Sequence, residues 1–228
     1  MKLGLIKVPS GEITNLPYLK KVGAMNKKVV LSTGMSVMNE VEEAISVLVG
    51  AGTARENISV LHCTTDYPTS MKDVNLNAML TLKEHFQLPV GYSDHTNGIE
   101  VAVAAVAMGA TIIEKHFTID KTLPGPDHKA SLEPDELKAM VSAIRNIEDA
   151  LGVADKKPTE SEKKNSLVAR KSIHLAHDLI KGHVLVESDL IMKRPGDGIS
   201  PMRMEDVVGK TILNDLSVDY KLEWEDLE

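Results

Sequence analysis

Apolar and polar positions over the first two thirds of the chain switch repeatedly between two periods. Short runs rich in β-branched residues give way to turns, and these lead into stretches with helical spacing. Strands are predicted at 5–8, 29–32, 58–63, 89–92 and 111–117. Their starts lie about 20 to 30 residues apart, which suits right-handed βα units and is too long for hairpins.

The segments between them carry helix signals. Behind Asn39, the residues Val41, Ala44, Ile45, Leu48 and Val49 share one face, with Glu42 as a capping-box partner and Gly50 as the expected stop. Met79, Leu82 and Phe86 form a second stripe, and 99–108 reads as a third helix ended by Gly109. The clearest helix opens at Pro134, followed at helical spacing by Leu137, Met140, Val141, Ile144, Ile147 and Leu151. Composition then changes. The tract 154–168 is dense in charge and nearly free of apolar residues, so it is expected to be a solvated linker between a domain at 1–153 and a smaller, mostly β domain at 169–228.

Alternating β and α elements suit either an open doubly wound sheet or a (βα)8 barrel. No Gly-x-Gly-x-x-Gly turn follows an early strand, as a dinucleotide fold would require. Polar residues instead follow nearly every strand: Lys7, Ser10 and Glu12; Ser32 and Thr33; Thr64, Thr65 and Tyr67; Ser93 and His95; Lys115 and His116. Barrels assemble their active sites from the C-terminal ends of several strands, so this distribution favours the barrel. Only five of its eight units are found, which makes the expected fold class α/β with a partial (βα)8 TIM barrel.

The net charge of −7 argues against a nucleic-acid or anionic-membrane surface, and the scarcity of aromatic residues argues against base stacking. A single cysteine, Cys63, allows neither an intrachain disulfide nor a multi-cysteine zinc site, and fits a reducing, cytoplasmic setting. The longest uncharged apolar run, 101–113, falls short of the roughly 20 residues that span a bilayer. A lone Ser or Thr at a strand end commonly caps a helix. Lys7 within a strand needs a partner, and the matched positions of His95 and His116 after consecutive strands point to a joint metal or phosphate role. His62 and Cys63 read as packing residues, and His174, His177 and His183 as surface residues of the small domain.

Seven blocks then carry a resemblance: KVPSGEITN (7–15), LSTGM (31–35), LHCTTDYPT (61–69), GYSDHT (91–96), EKHFT (114–118), GPDHKASLEPDEL (125–137) and KRPGDGISP (193–201). Together, and in this order, they resemble the sialic acid synthase family, which includes N-acetylneuraminate, legionaminate and pseudaminate synthases. The resemblance implies a (βα)8 barrel followed by an antifreeze-like (SAF) domain, with the chain starting near the family's fourth barrel strand. That would account for the missing strands.

It also implies a reaction: condensation of phosphoenolpyruvate with an open-chain N-acylated amino sugar, giving a nonulosonic acid and phosphate. Carried over by motif, Lys7, Ser10, Ser32, Thr65 and Ser93 would hold phosphoenolpyruvate, one cation and several hydroxyls suiting its phosphate. Thr65 departs from an asparagine found in some members. His95 and His116 would bind a divalent metal, Mn2+ or Mg2+, which as a Lewis acid would stabilise charge on the aldehyde oxygen. Glu12, Tyr67 and Asp127 would contact the sugar, with Glu12 the candidate for proton handling. Arg170 corresponds to an arginine that reaches the partner subunit's site in a domain-swapped homodimer. The competing expectation is a catalytically incomplete remnant that acts only in ligand binding or subunit assembly.

Overall fold

The computed structural model describes residues 3–228 and divides into two compact units, Met1–Val153 and Ala154–Glu228. The first unit runs β1 (Leu5–Val8), α1 (Leu16–Gly23), β2 (Lys28–Ser32), α2 (Met38–Gly50), β3 (Ile58–Cys63), α3 (Asn77–Phe86), β4 (Val90–Asp94), α4 (Glu100–Ala107), β5 (Ile113–Lys115) and α5 (Pro134–Leu151). All five strands are parallel and lie in the order β1-β2-β3-β4-β5. A doubly wound sheet reverses its strand order at the ligand crevice. This one never reverses, so it follows barrel topology over five of eight units.

Curvature confirms the topology. Lys7 on β1 and Glu114 on β5 form an ion pair of 3.2 Å. In a flat sheet the outer strands of five would stand about 19 Å apart at about 4.8 Å per step, beyond the reach of the two side chains. The sheet must therefore curl, bringing its first and last strands to face each other across a lumen.

Alternate residues of each strand face the helices. Val8, Val29, Leu31, Ile58, Val60, Val90 and Tyr92 join Leu19, Val22, Ile45, Leu48, Met79, Leu82 and Phe86 in one buried core. A smaller cluster of Ala102, Val106, Leu132, Met140 and Ile144 packs α5 on α4.

Several boundaries differ from the sequence expectation. Helix α2 begins near Met38 because the Glu40 carboxylate accepts the Val37 N–H at 2.9 Å; Asn39 and Glu42 lie inside the helix. The fifth strand shrinks to three residues, since the N–H and hydroxyl of Thr111 both bond the Val90 carbonyl and Phe117 pairs with Leu132. The tract 154–168 is only partly linker, because α6 (Glu160–Ala169) forms inside it. Thr159 and Glu162 cap that helix reciprocally, and the Leu167 carbonyl accepts the Gly196 N–H at 2.7 Å, tying the helix into the second unit.

That second unit holds β6 (Ser172–Leu175), β7 (Leu190–Lys193) paired antiparallel, and the single turn α7 (Met204–Val207). Its own core contains Ile173, Leu175, Leu185, Val207, Ile212 and Leu222. Its histidines are not simple surface residues. His174 is buried, and the Nε2 atoms of His177 and His183 lie 3.1 and 2.8 Å from the two oxygens of buried Asp189. Among the described residues, no helix is long and apolar enough to cross a membrane.

Candidate functional site

The strand residues that turn away from the helices form a second, polar surface on the lumen side. Cys63, Ser93 and Glu114 lie side by side by register, and Ser32 stands opposite Leu61 on the next strand pair. Glu114 is the hub. Its Oε1 accepts the Ser93 hydroxyl at 2.8 Å and pairs with Lys7 Nζ, so groups from β1, β4 and β5 meet at one carboxylate oxygen.

A second group gathers where β1, β2 and β3 end. Gly34 donates its N–H to Ser10 Oγ at 2.9 Å, and Ser10 Oγ lies 3.1 Å from Cys63 Sγ. Gly34 is required by close approach. A Cβ there would collide with Thr65 Oγ1 and lie 2.8 Å from Ser10 Oγ and 3.0 Å from Cys63 Sγ. Three polar side chains thus crowd onto a bare backbone. Ser32 is 2 % exposed, and its hydroxyl has no hydrogen-bond partner among the described residues. A buried orphan donor is costly unless a ligand or water supplies the acceptor.

The two histidines follow β4 and β5. Their rings lie 5.5 Å apart, and Tyr67 covers both, 4.2 Å from His95 and 5.5 Å from His116. The Thr64 carbonyl is only an acceptor, so His95 Nδ1, at 2.7 Å, must carry the proton and donate it. Nε2 is left facing the lumen, 3.4 Å from Ser93 Oγ. Burial, more than any other influence, holds the His95 pKa below its usual value and favours the neutral ring. A neutral imidazole whose other N–H is held by a carbonyl is the usual form of a metal-ligating histidine. Among the described residues no cluster of three or more His, Cys, Asp or Glu could hold a metal ion. The two imidazoles are donors of a kind that suits a divalent cation.

Other expected site residues are more loosely placed. Asp127 is exposed and near enough to raise the Tyr67 phenol pKa, after burial and the nearby Cys63, together with Glu114. Glu12 is held by Asn15, whose Nδ2 donates to its Oε2 at 2.6 Å; among the described residues no hydrogen bond or ion pair links it to the Lys7–Glu114–Ser93 group. Arg170 belongs to the second unit, where it caps α6 and packs under Gly196.

Sequence reasoning overlooked Glu114 and Gly34. Glu114 stands two residues before His116 and therefore shares its face, a period-2 signal that was available. His62, expected as packing, lies on the helix side beside Tyr92, with its Nε2 2.9 Å from the Val74 carbonyl.

Comparison with known proteins agrees with this layout. The NeuB family model matches residues 1–156 and the SAF domain model matches 170–228. An N,N'-diacetyllegionaminic acid synthase of Campylobacter jejuni is 55% identical over 208 residues, covering 91% of this chain and 62% of that protein. The enzyme of the same name from Legionella pneumophila is 48% identical over 225 residues, covering 98% and 63%. The structure of a sialic acid synthetase from Leptospira borgpetersenii in complex with citrate superposes with a TM-score of 0.65 at 38% identity, over 72% of this chain and 56% of that one. The chain thus spans somewhat less than two thirds of the length of these relatives. With its curved five-stranded sheet and its terminal SAF domain, the chain belongs to the NeuB family.

Proposed function

We propose that this protein acts as a nonulosonic acid synthase, condensing phosphoenolpyruvate with an open-chain N-acylated amino sugar to give a nonulosonic acid and phosphate. The observation that carries this reading is the meeting of Lys7 and Ser93 at Glu114, with the unpaired Ser32 hydroxyl on the same lumen face. One cation and a set of hydroxyls at the C-terminal mouth of a barrel suit a phosphate-bearing anion. Lys7, Ser10, Ser32, Thr65 and Ser93 bind phosphoenolpyruvate, and Gly34 leaves the space in which Ser10 and Thr65 present their hydroxyls.

His95 and His116 hold a divalent cation, Mn2+ or Mg2+. When bound it supplies Lewis-acid stabilisation of charge on the aldehyde oxygen. Tyr67 orients both imidazoles and shields them from water. Glu12, Tyr67 and Asp127 contact the sugar, Glu12 handling a proton. Arg170 reaches the site of a second subunit in a homodimer, where a guanidinium can bond several sugar oxygens at fixed angles. A 2,4-diacetamido-trideoxy hexose is the preferred sugar over N-acetylmannosamine, on the strength of the relatives that share about half of this sequence. A phosphoenolpyruvate user with one buried thiol works in the cytoplasm.

The test is phosphate release in the presence of phosphoenolpyruvate, Mn2+ and each sugar, with the product identified by mass. Sugar-dependent release, fastest with the 2,4-diacetamido sugar, is expected. Calorimetry showing no phosphoenolpyruvate binding, together with no sugar-dependent phosphate, overturns the proposal.

A further inference from the structure

Asp94 and Lys115 form an ion pair of 2.7 Å with side chains 0 % and 2 % exposed, on the helix side of the sheet. No role in the chemistry above uses them. Their position is informative because each immediately precedes one of the two histidines. They are also register partners, the last matched pair of β4 and β5.

Beyond that pair the two backbones part. The His95 carbonyl accepts from Thr69 N–H, and the His116 carbonyl accepts from Leu132 N–H, each at 2.9 Å. The strand ladder therefore stops one residue short of both imidazoles, and each histidine is tied to a different loop. The ion pair carries the connection past that point. Asp94 Oδ1 accepts the Thr96 N–H at 2.9 Å and the Thr96 hydroxyl at 2.7 Å, while Lys115 Nζ donates to the Thr96 carbonyl at 2.7 Å. Residues on both sides of His95 are thus bound to Lys115, the residue before His116.

We infer that Asp94, Thr96 and Lys115 are positioning residues, a buried clamp that sets the separation and aim of the His95 and His116 imidazoles toward a shared divalent cation. The inference rests on the proposed role of those histidines. A water-excluded pair suits the task, since an exposed pair would be screened and mobile. Outer groups that orient metal-binding histidines typically govern affinity by about 10- to 100-fold.

The experiment is Mn2+ titration of the full chain, followed by electron paramagnetic resonance, with circular dichroism reporting the fold. Asp94→Asn with Lys115→Met removes both charges at nearly constant volume, and should weaken Mn2+ binding about 10- to 100-fold. Thr96→Val keeps the ion pair and loses one bond to Asp94; it should weaken binding about threefold and decides the matter if the double variant does not fold. Phe86→Leu, in the helix-side core, should lower Tm without moving Mn2+ affinity. Unchanged affinity in a folded clamp variant overturns the inference, as does an equal loss in Phe86→Leu. His95→Ala separates the two claims. Wild-type Mn2+ binding in that variant defeats the metal-site reading itself, whereas loss there with intact binding in the clamp variants defeats only the clamp.

Discussion

The two faces of the five-stranded sheet are made by the same short strands and could hardly differ more. Toward the helices stand Val8, Leu31, Val60, Val90 and Tyr92, closed in a common core. Toward the lumen stand Lys7, Ser32, Cys63, Ser93 and Glu114, with His95 and His116 beyond the strand ends. Leu31 and Ser32 are neighbours in sequence, yet one is fastened by packing and the other has a hydroxyl with no partner among the described residues. Stability and ligand affinity should therefore separate residue by residue along a single strand. A core is optimised by satisfying every group within the chain. A binding face must leave some donors for the ligand to satisfy.

The largest effect expected from that contrast is at Leu31. Leu31→Ala opens a cavity in the helix-side core and should cost about 2–5 kcal/mol in urea unfolding. Gly34→Ala comes next. Its new methyl group meets Thr65, Ser10 and Cys63 at once, so about 1–3 kcal/mol of stability should be lost. Phosphoenolpyruvate binding, read by calorimetry, should fall with it; full affinity would show that the Ser10–Thr65 group is not the anion site.

A shallower effect is expected at His62. Burial, the largest influence, outweighs the bond to Val74 and holds its pKa below the usual 6.5. The unfolded chain then takes up the proton first. Stability is full above about pH 6.5, declines as pH falls below it, and levels off once the folded ring is also protonated. His62→Gln can still donate to Val74 and cannot titrate, so its Tm should vary less over that window than the wild-type Tm. Ser32→Ala closes the series. Removing an unpaired hydroxyl should change stability by less than about 0.5 kcal/mol, while weakening phosphoenolpyruvate binding. A large stability loss there would mean that Ser32 belongs to the core after all.

Part of this contrast is present in the order of residues. The return of polar residues after each strand marks the site's end of the barrel, but VVLS and ISVLHC do not by themselves assign faces: Val30 and Leu61 share the lumen side with Ser32 and Cys63, and His62 stands on the helix side. The helix at Glu160–Ala169 shows how a local signal can be outvoted. Its capping residues Thr159 and Glu162 were readable, but without an apolar stripe the segment looked like linker. Asp189 shows the opposite limit. Nothing near it in sequence says that a buried carboxylate will collect His177, His183 and the Val186 N–H.

By itself, then, the sequence determined the five strands and four of the five helices of the first unit, the βα rhythm and the family, while α1 (Leu16–Gly23) emerged only in the structure. These follow from local periods and from ordered motifs, both properties of neighbours along the chain. Tertiary structure alone decided that Lys7 and Glu114, on the first and last strands, would meet at 3.2 Å, and that Asp94 and Lys115 would bury each other's charge behind the histidines. A strand's period says that side chains alternate between two faces but nothing of how far the sheet curls or which distant residue waits opposite. Curvature is set by the twist and packing of all five strands together, and the meeting at Glu114 depends on it.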